Sequence, residues 1–522
     1  MTRYTIGVDY GTDSARAVLV DASCGRIAAS ASSNYRRWAE GRWCEPLNQQ
    51  FRQHPMDYIE CLEDVLKAVV AACPDPSAIC AIAVDTTGST VCMTDGNGMP
   101  LSLLPGFSDD PDAMFVLWKD HTGTREAEEF TAAGARHTPN YICQSGNHYS
   151  SECTWAKVLH ILRTNEKVRE ACYGFIDECD FVTNLLTGCR DFSAMKWGHC
   201  IPGAKQLWNK DWGGYPPEWF FKEIDPLLIP VLRRIPHQNY ACSEKAGTLC
   251  PEWAEKLGLS LSVVVGVGNC DAHSGAVGAG VRPGTAVLNL GTSACYMAVM
   301  PVEEMRGNFI EGLFGQSEGT ILEGYMGYET GLSAFGDIFA WFKRLSGREL
   351  PELADEASRI ALRDDLPIAT DFFNGRRAPN PSNTVTASIS GLRITSSPAE
   401  IYRALVEAAA FGSKACIDQY LDGGIRIEKM IAVGGIAQKS PFVMQVLCDV
   451  LGRPVIVSDC KDACAMGAAI HASVAAGLYA GVLEAEDALC PGACATYYPD
   501  PERHAFYLRR YERYKELARF VL

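Results

Sequence analysis

The 522-residue sequence has neither a GxxxxGK[ST] string nor a GxGxxG string, so a phosphate group has no P-loop and no dinucleotide turn to sit on. Positive charge is also short. Lys and Arg number 47 against 63 Asp and Glu, a net charge of −16, which excludes general adhesion to nucleic acid or an anionic membrane. Strongly apolar runs of membrane-spanning length are missing. The stretch 464–483 carries no formal charge and approaches that length, yet it is mostly Ala and Gly and includes His471. Such small residues have little transfer free energy, so the expectation is a buried helix packed closely on a neighbour. Low-complexity and coiled-coil patterns are absent. The opening MTRYTIGVDYG enters a strand pattern without a basic segment, an apolar run and a small-residue cleavage site, which points to a cytoplasmic protein that is not exported. Cysteine is abundant, 22 residues, but lacks the tight spacing of a disulfide framework and lies in apolar stretches such as 78–83 and 444–451. Free thiols in a reducing compartment are expected. Cys460 with Cys464, and Cys490 with Cys494, lack a second ligand pair at zinc-finger spacing, so no metal is expected there.

What is present is a globular composition, 47% hydrophobic and 21% charged, on a chain too long for one core. Strand and helix patterns alternate from the start. Two strands, 4–8 and 15–21, flank a polar bend at 9–14; a helix follows at about 56–72, then an apolar strand at 79–84 that ends in Asp85-Thr86-Thr87-Gly88-Ser89. The pattern then begins again. At 286–299 a second hairpin turns on Asn289-Leu290-Gly291-Thr292, echoing Asp9-Tyr10-Gly11-Thr12, and the small-residue runs after Asp271 and after Asp462 echo each other. The VRPG at 281–284 interrupts the chain between them. Two related α/β halves are expected, 1–281 and 282–522, with polar residues at strand ends, and with an irregular insertion at about 364–397.

Both GT bends offer inward N–H groups and hydroxyls to a phosphate, through Gly11-Thr12 and Gly291-Thr292-Ser293. Each alone is ordinary turn chemistry; their recurrence in related halves makes a pair. A third bend, Gly434-Gly435, follows an apolar strand and leaves backbone open to a flat ligand. Phosphoryl transfer to an alcohol needs a carboxylate to take the hydroxyl proton and a magnesium site. Asp271, following the strand-like run 263–267 and opening a small-residue helix, fits the first, although a helix N-cap would also use an Asp there. Asp9, at the first bend, fits the second, holding Mg²⁺ directly or through water.

The strings DYGTDSARAVLVD, VDTTGST, FVLWKDHT, GNCDAH, LGTSACYM, GYETGLSAFGD, FNGRR and AVGGIAQKSPFVMQ occur in that order from the first strand to about residue 477. Together they resemble the FGGY carbohydrate kinases. The resemblance implies two actin-like, ribonuclease H-like domains flanking an ATP cleft that closes to exclude water, with sugar bound mainly by the N-terminal domain and ATP by the C-terminal one. It makes Asp271 the general base and puts Asp9 near Mg²⁺. Gly11, Thr12, Asp13, Gly291 and Thr292 would lie near the phosphates, with Gly434 and Gly435 beside the adenosine. Sugar contacts would come from Thr87, Trp118, Lys119, Asp120, Lys205 and Glu329.

Two departures bear on these roles. Many members carry W-x-D-x-R, whereas Trp118-Lys119-Asp120-His121-Thr122 stands here, which weighs against a glycerol-type site. Ser440 stands after the glycine pair where Asn is common. The implied reaction is phosphorylation of L-ribulose at its C5 hydroxyl, a step of L-arabinose breakdown, with D-ribulose, ribitol or D-xylulose as alternative acceptors. A nonenzymatic ATP-driven switch on the same scaffold is the more distant alternative, opposed by the acceptor base and the polar pocket. The implied partners are a small-molecule sugar and ATP, with no nucleic acid or membrane; a homo-oligomer is compatible with the sequence.

Overall fold

The computed structural model describes residues 2–382 and 384–520. Two compact units divide the chain: residues 1–280 with 315–327 and 462–490 form the first, and 281–314 with 328–461 and the chain from Pro491 form the second. Two later segments thus return to the first unit after the passage at 280–281.

In the first unit the expected hairpin is present. Tyr4–Tyr10 pairs antiparallel with Ser14–Asp21, and Gly11 N–H donates to the Ser14 carbonyl at 3.0 Å to close the bend. The apolar strand Ile79–Thr86, buried except for the half-buried Cys80, lies parallel to Tyr4–Tyr10, as strands buried on both faces commonly do. The whole sheet runs Lys245–Thr248, Val264–Gly266, Ile79–Thr86, Tyr4–Tyr10, Ser14–Asp21, Ile27–Asn34, with Asn269–Cys270 pairing further along Ile79–Thr86. The expected helix at 56–72 is Pro55–Ala71, started by His54, whose Nδ1 accepts from Met56 N–H at 3.2 Å. A second, smaller sheet combines Gln50–Gln53, Phe115–Val116, Val91–Thr94 and Gly174–Asp177.

The uncharged stretch near 464 is the buried helix Ala463–Ala475, and no described helix is long and apolar enough to cross a membrane. Its small residues are dictated by contact distance. A Cβ on Gly467 would stand 1.8 Å from the Ser274 carbonyl oxygen in the helix Asp271–Gly278, and one on Gly278 would stand 2.0 Å from the Ala463 carbonyl. Beneath them, a Cβ on Gly7 would meet the Ala465 carbonyl at 1.8 Å. Two helices and the central strand therefore touch backbone to backbone.

The second unit repeats the plan. Gly284–Leu290 pairs antiparallel with Ala294–Pro301 and parallel with Ile427–Val433, and the sheet continues through Val455–Ser458 to an antiparallel Ala493–Tyr497. Tyr325–Leu332 lies on the other side of Ala294–Pro301, so six strands follow the same order as in the first unit. The bend is one residue shorter than in the first unit, and Gly291 N–H donates to the Ser293 carbonyl at 3.0 Å to close it. The stretch 364–397 is irregular apart from the short pair Ile368–Ala369 and Ile389–Ser390; Asn383 within it lies outside the described residues. All cysteines are free thiols.

The backbone contacts give a stability test. Gly467→Ala is expected to cost about 3 kcal/mol or more through overpacking. Gly481→Ala, where a Cβ meets nothing within 4 Å, should stay within about 0.5 kcal/mol. Equal denaturant midpoints for the two variants would contradict the packing account.

Candidate active site

The first unit gathers three aspartates at the ends of three neighbouring parallel strands. Asp9 and Asp85 are direct register partners, Asn269 is the partner of Asp85 on the other side, and Asp271 follows two residues later. Asp271 is the first residue of the helix Asp271–Gly278 rather than its N-cap, which is Cys270; its Oδ1 accepts from Ala272 N–H at 2.6 Å.

Asp85 was visible in the sequence as the end of an apolar strand, but only the pairing shows what it faces. It is 0% exposed, and neither carboxylate oxygen has a hydrogen-bond donor among the described residues. Removal from water pushes its carboxyl well above the ordinary value, and the charges of Asp9 and then Asp271 add to that. Asp9 is raised as well, chiefly by desolvation, with Asp85 and Arg16 acting against the rise. Arg16 is the cross-strand partner of Asp9 and ion-pairs with Asp462 at 3.0 Å. Two adjoining carboxylates in this setting require either a shared proton or a cation. The donors are hard oxygens with an unfilled demand, so the residues fit Mg²⁺.

The bend at 11–13 is tied down from several sides. Trp118 Nε1 donates to Thr12 Oγ1 at 3.0 Å, Trp38 Nε1 to Asp13 Oδ1 at 2.7 Å, Gln53 Nε2 to the Thr12 carbonyl at 2.7 Å, and Tyr35 OH to the Gly11 carbonyl at 3.0 Å. One of the expected sugar residues is thus fastened to an expected phosphate residue. Lys119 lays its ammonium over the rings of Trp38 and Phe51, 5.2 and 4.9 Å from their centroids. Asp120 is buried and occupied: it accepts from Phe51 N–H at 2.7 Å, from Thr122 N–H at 3.0 Å and from Thr122 Oγ1 at 2.5 Å, and it ion-pairs with buried Arg52.

Thr87 shares a hydrogen bond with Thr90 at 2.7 Å and donates to Glu178 Oε2 at 3.4 Å. Glu178 is a group sequence reasoning missed. It is 1% exposed, its Oε1 has no partner among the described residues, and burial holds its carboxyl well above the usual range, with Asp271 among the charges that raise it further. Nothing in the local sequence distinguishes it from a first-turn helix Glu. Beside it, burial brings both Asp177 and Lys157 to about 7; Lys157 Nζ donates to the Ser89 carbonyl at 2.7 Å and the Leu117 carbonyl at 3.0 Å, joining the loops that carry Thr87 and Trp118. Lys205 is buried at the end of the helix Cys200–Lys205.

Glu329 belongs to the second unit, buried in the strand Tyr325–Leu332. That unit holds a cavity of about 1350 Å³, larger than a usual ligand site, lined by Gly291, Thr292, Phe339, Lys343, Gly435 and Ile436 among others. Its floor depends on glycines. Gly434 has φ +96° and a Cβ there would meet the Leu290 carbonyl at 2.5 Å, whereas Gly435 opens onto empty space. Gly336 N–H donates to the Gly291 carbonyl at 3.0 Å, which sets the first turn of the helix Gly336–Ser346 against the Gly291-Thr292 bend. The helix expected near Pro441 is preceded by a separate one, Gly435–Lys439, so the glycine pair itself opens a helix.

Two α/β units of one strand order, an acidic seat at the strand ends of the first and a glycine-floored cavity in the second, define an actin-like phosphotransferase. The profile for the FGGY family of carbohydrate kinases, N-terminal domain, matches residues 4–278, and that for the C-terminal domain matches 286–476. The chain belongs to the FGGY family of carbohydrate kinases and is an ATP-dependent sugar kinase. It is 36% identical to a ribulokinase from Vibrio parahaemolyticus, covering 99% of this chain and 96% of that protein, and 35% identical to one from Halalkalibacterium halodurans, covering 99% and 94%. Among solved structures, the ligand-bound xylulose kinase from Lactobacillus acidophilus shares the fold with a TM-score of 0.82 at 17% identity, covering 99% of this chain and 97% of that one.

The acidic pair gives a test without substrate. A carboxyl whose folded value is raised binds its proton more tightly folded than unfolded, so its contribution to stability falls as pH climbs above the unfolded value. Asp85→Asn should therefore raise the thermal midpoint of the metal-free protein at pH 8 and raise it much less at pH 5. A lower midpoint at both would show that the pair is not a repulsive one.

Proposed function

We propose that this chain transfers the γ-phosphoryl group of ATP to the C5 hydroxyl of L-ribulose, giving L-ribulose 5-phosphate and ADP in the cytoplasm, where thiols stay reduced. The observation that carries this reading is the near-complete coverage, at 36% and 35% identity, of two proteins named ribulokinase. In support, the loop at 118–122 reads WKDHT, without the arginine of the W-x-D-x-R pattern.

In this reading Asp271 accepts the C5 hydroxyl proton as that oxygen bonds to the γ-phosphorus and the bond to the β-phosphate oxygen breaks. Thr87, Trp118, Lys119 and Lys205 contact the sugar from the first unit. Asp120, with its oxygens engaged by Phe51, Thr122 and Arg52, acts by holding the 118–122 loop in register. Glu329 is a further sugar contact in this reading. Gly11, Thr12 and Asp13, with Gly291 and Thr292, receive phosphates through backbone N–H groups and hydroxyls, and Gly434 and Gly435 leave room for adenosine. Asp9 and Asp85 would hold Mg²⁺, which when bound spreads the charge of the β- and γ-phosphates.

The deciding measurement is ADP release from MgATP with L-ribulose, D-ribulose, ribitol, D-xylulose and glycerol in parallel. L-ribulose should give the highest kcat/KM; another preferred acceptor would move the specificity, and no sugar stimulation would remove the kinase assignment. Asp271→Asn should lose about 10²- to 10⁴-fold in kcat while binding ATP as before, and an unchanged kcat would exclude it as the base. Gly435→Val should fold normally and raise the KM for ATP about tenfold, the cost of about 1.4 kcal/mol of lost binding. An unchanged KM would separate this glycine from the adenosine.

A further inference from the structure

The seat at the strand ends contains a third ligand that magnesium chemistry does not use. Cys464 is the second residue of the helix Ala463–Ala475, and one ligand atom from each of Asp9, Asp85 and Cys464 lies within 4.8 Å of the other two. A helix placed so close to the Tyr4–Tyr10 strand, with Gly7 beneath it, delivers the thiol to the carboxylates directly. Mg²⁺ takes oxygen ligands and has little affinity for sulfur. A thiolate beside carboxylates suits borderline and soft cations instead, as in zinc sites. Independently of the grouping, Asp85 is fully buried with both oxygens lacking a donor, so one member of the set is already short of a partner that a cation would supply.

The remaining thiols do not offer the same chemistry. Cys179, Cys200, Cys242 and Cys270 form a buried cluster in the first unit, where Cys200 Sγ lies 2.8 Å from His273 Nδ1 and Cys242 Sγ donates to the Gly268 carbonyl at 3.4 Å. Those contacts engage the Cys200 and Cys242 sulfurs within the protein. Asp9, Asp85 and Cys464 are the one metal-sized grouping of three such side chains among the described residues.

We propose that Asp9, Asp85 and Cys464 form a site for a thiophilic divalent cation, Zn²⁺ or its analogue Cd²⁺, which competes with Mg²⁺ for the two carboxylates. On binding, the Cys464 S–H bond breaks, the sulfur electron pair forms the metal–sulfur bond, and the proton leaves to solvent; no oxidant or reductant takes part. A thiophilic cation at this seat keeps out the hard cation the proposed phosphoryl transfer uses, so the same three residues make the enzyme sensitive to zinc-class metals.

The test uses the reduced, metal-free, full-length protein without nucleotide, titrated with Cd²⁺ alone. Binding is followed by the ultraviolet thiolate-to-cadmium charge-transfer band and by calorimetry. The expected result is a saturable band that excess Mg²⁺ diminishes. Cys464→Ser should abolish that component, Asp85→Asn should weaken Cd²⁺ binding by about tenfold or more, and Cys24→Ser, at an exposed thiol, should leave it unchanged. An undiminished band in Cys464→Ser would overturn the proposal by placing the metal on other thiols such as the Cys200 cluster. Should that variant not fold, a wild-type band indifferent to Mg²⁺, or an Asp85→Asn affinity equal to wild type, would overturn it equally. Sugar-dependent ADP release by the Mg²⁺-supplied wild type is read separately, so failure of the kinase reading and failure of this one give different results.

Discussion

Two carboxylates, Asp9 and Asp85, are forced side by side by the parallel register of their strands, and much of the first unit is explained by what that costs. A strand pair of this kind cannot slip by one residue, because the slip would turn every buried side chain of Ile79–Thr86 to the opposite face. The acids are therefore fixed together by the hydrophobic pattern around them, and their repulsion is a standing charge on the fold. Arg16 across the hairpin offsets part of it. The rest is left for a proton or a cation.

The second unit shows what the same topology looks like without that demand. The residue matching Asp9, at the end of the first hairpin strand, is Asn289, and its parallel partner is Val433 where the first unit has Asp85. In both units a glycine N–H closes the bend, onto the carbonyl three residues on in the first and two residues on in the second. Chemistry has thus been divided over a repeated scaffold. The first copy keeps the charge, and the second is neutral at those positions and gives its strand ends to Gly434, Gly435 and the large cavity.

Much of this was legible in the residues because the relevant signals are local. Hairpins announce themselves by alternation around Asp9–Ser14 and Asn289–Ser293, and a charge-free run of Ala and Gly at 464–483 reads as a closely packed helix. The order of strings from DYGTDSARAVLVD onward carried the family. What escaped depends on contacts between distant segments. Asp85 needed the register with Asp9, Cys464 needed the approach of its helix over Gly7, and Glu178 needed the bond from Thr87 to be distinguished from any acidic residue in a helix's first turn. Asp120 shows a further limit of sequence: its residue type suits a sugar ligand, and only the structure shows that Arg52, Phe51 and Thr122 engage its oxygens.

The buried titratable groups around Thr87 follow from the same economy. Glu178, Asp177 and Lys157 lie in a region where each alone would be expensive to ionise, and burial moves all three toward their neutral forms. A neutral Glu178 retains a proton to donate, whereas a charged one would add a further negative group near Asp271. Lys157, held by two backbone carbonyls, then works as a hydrogen-bonding strut between the Ser89 and Leu117 loops more than as a counter-ion. The region around Thr87 thereby avoids accumulating charge.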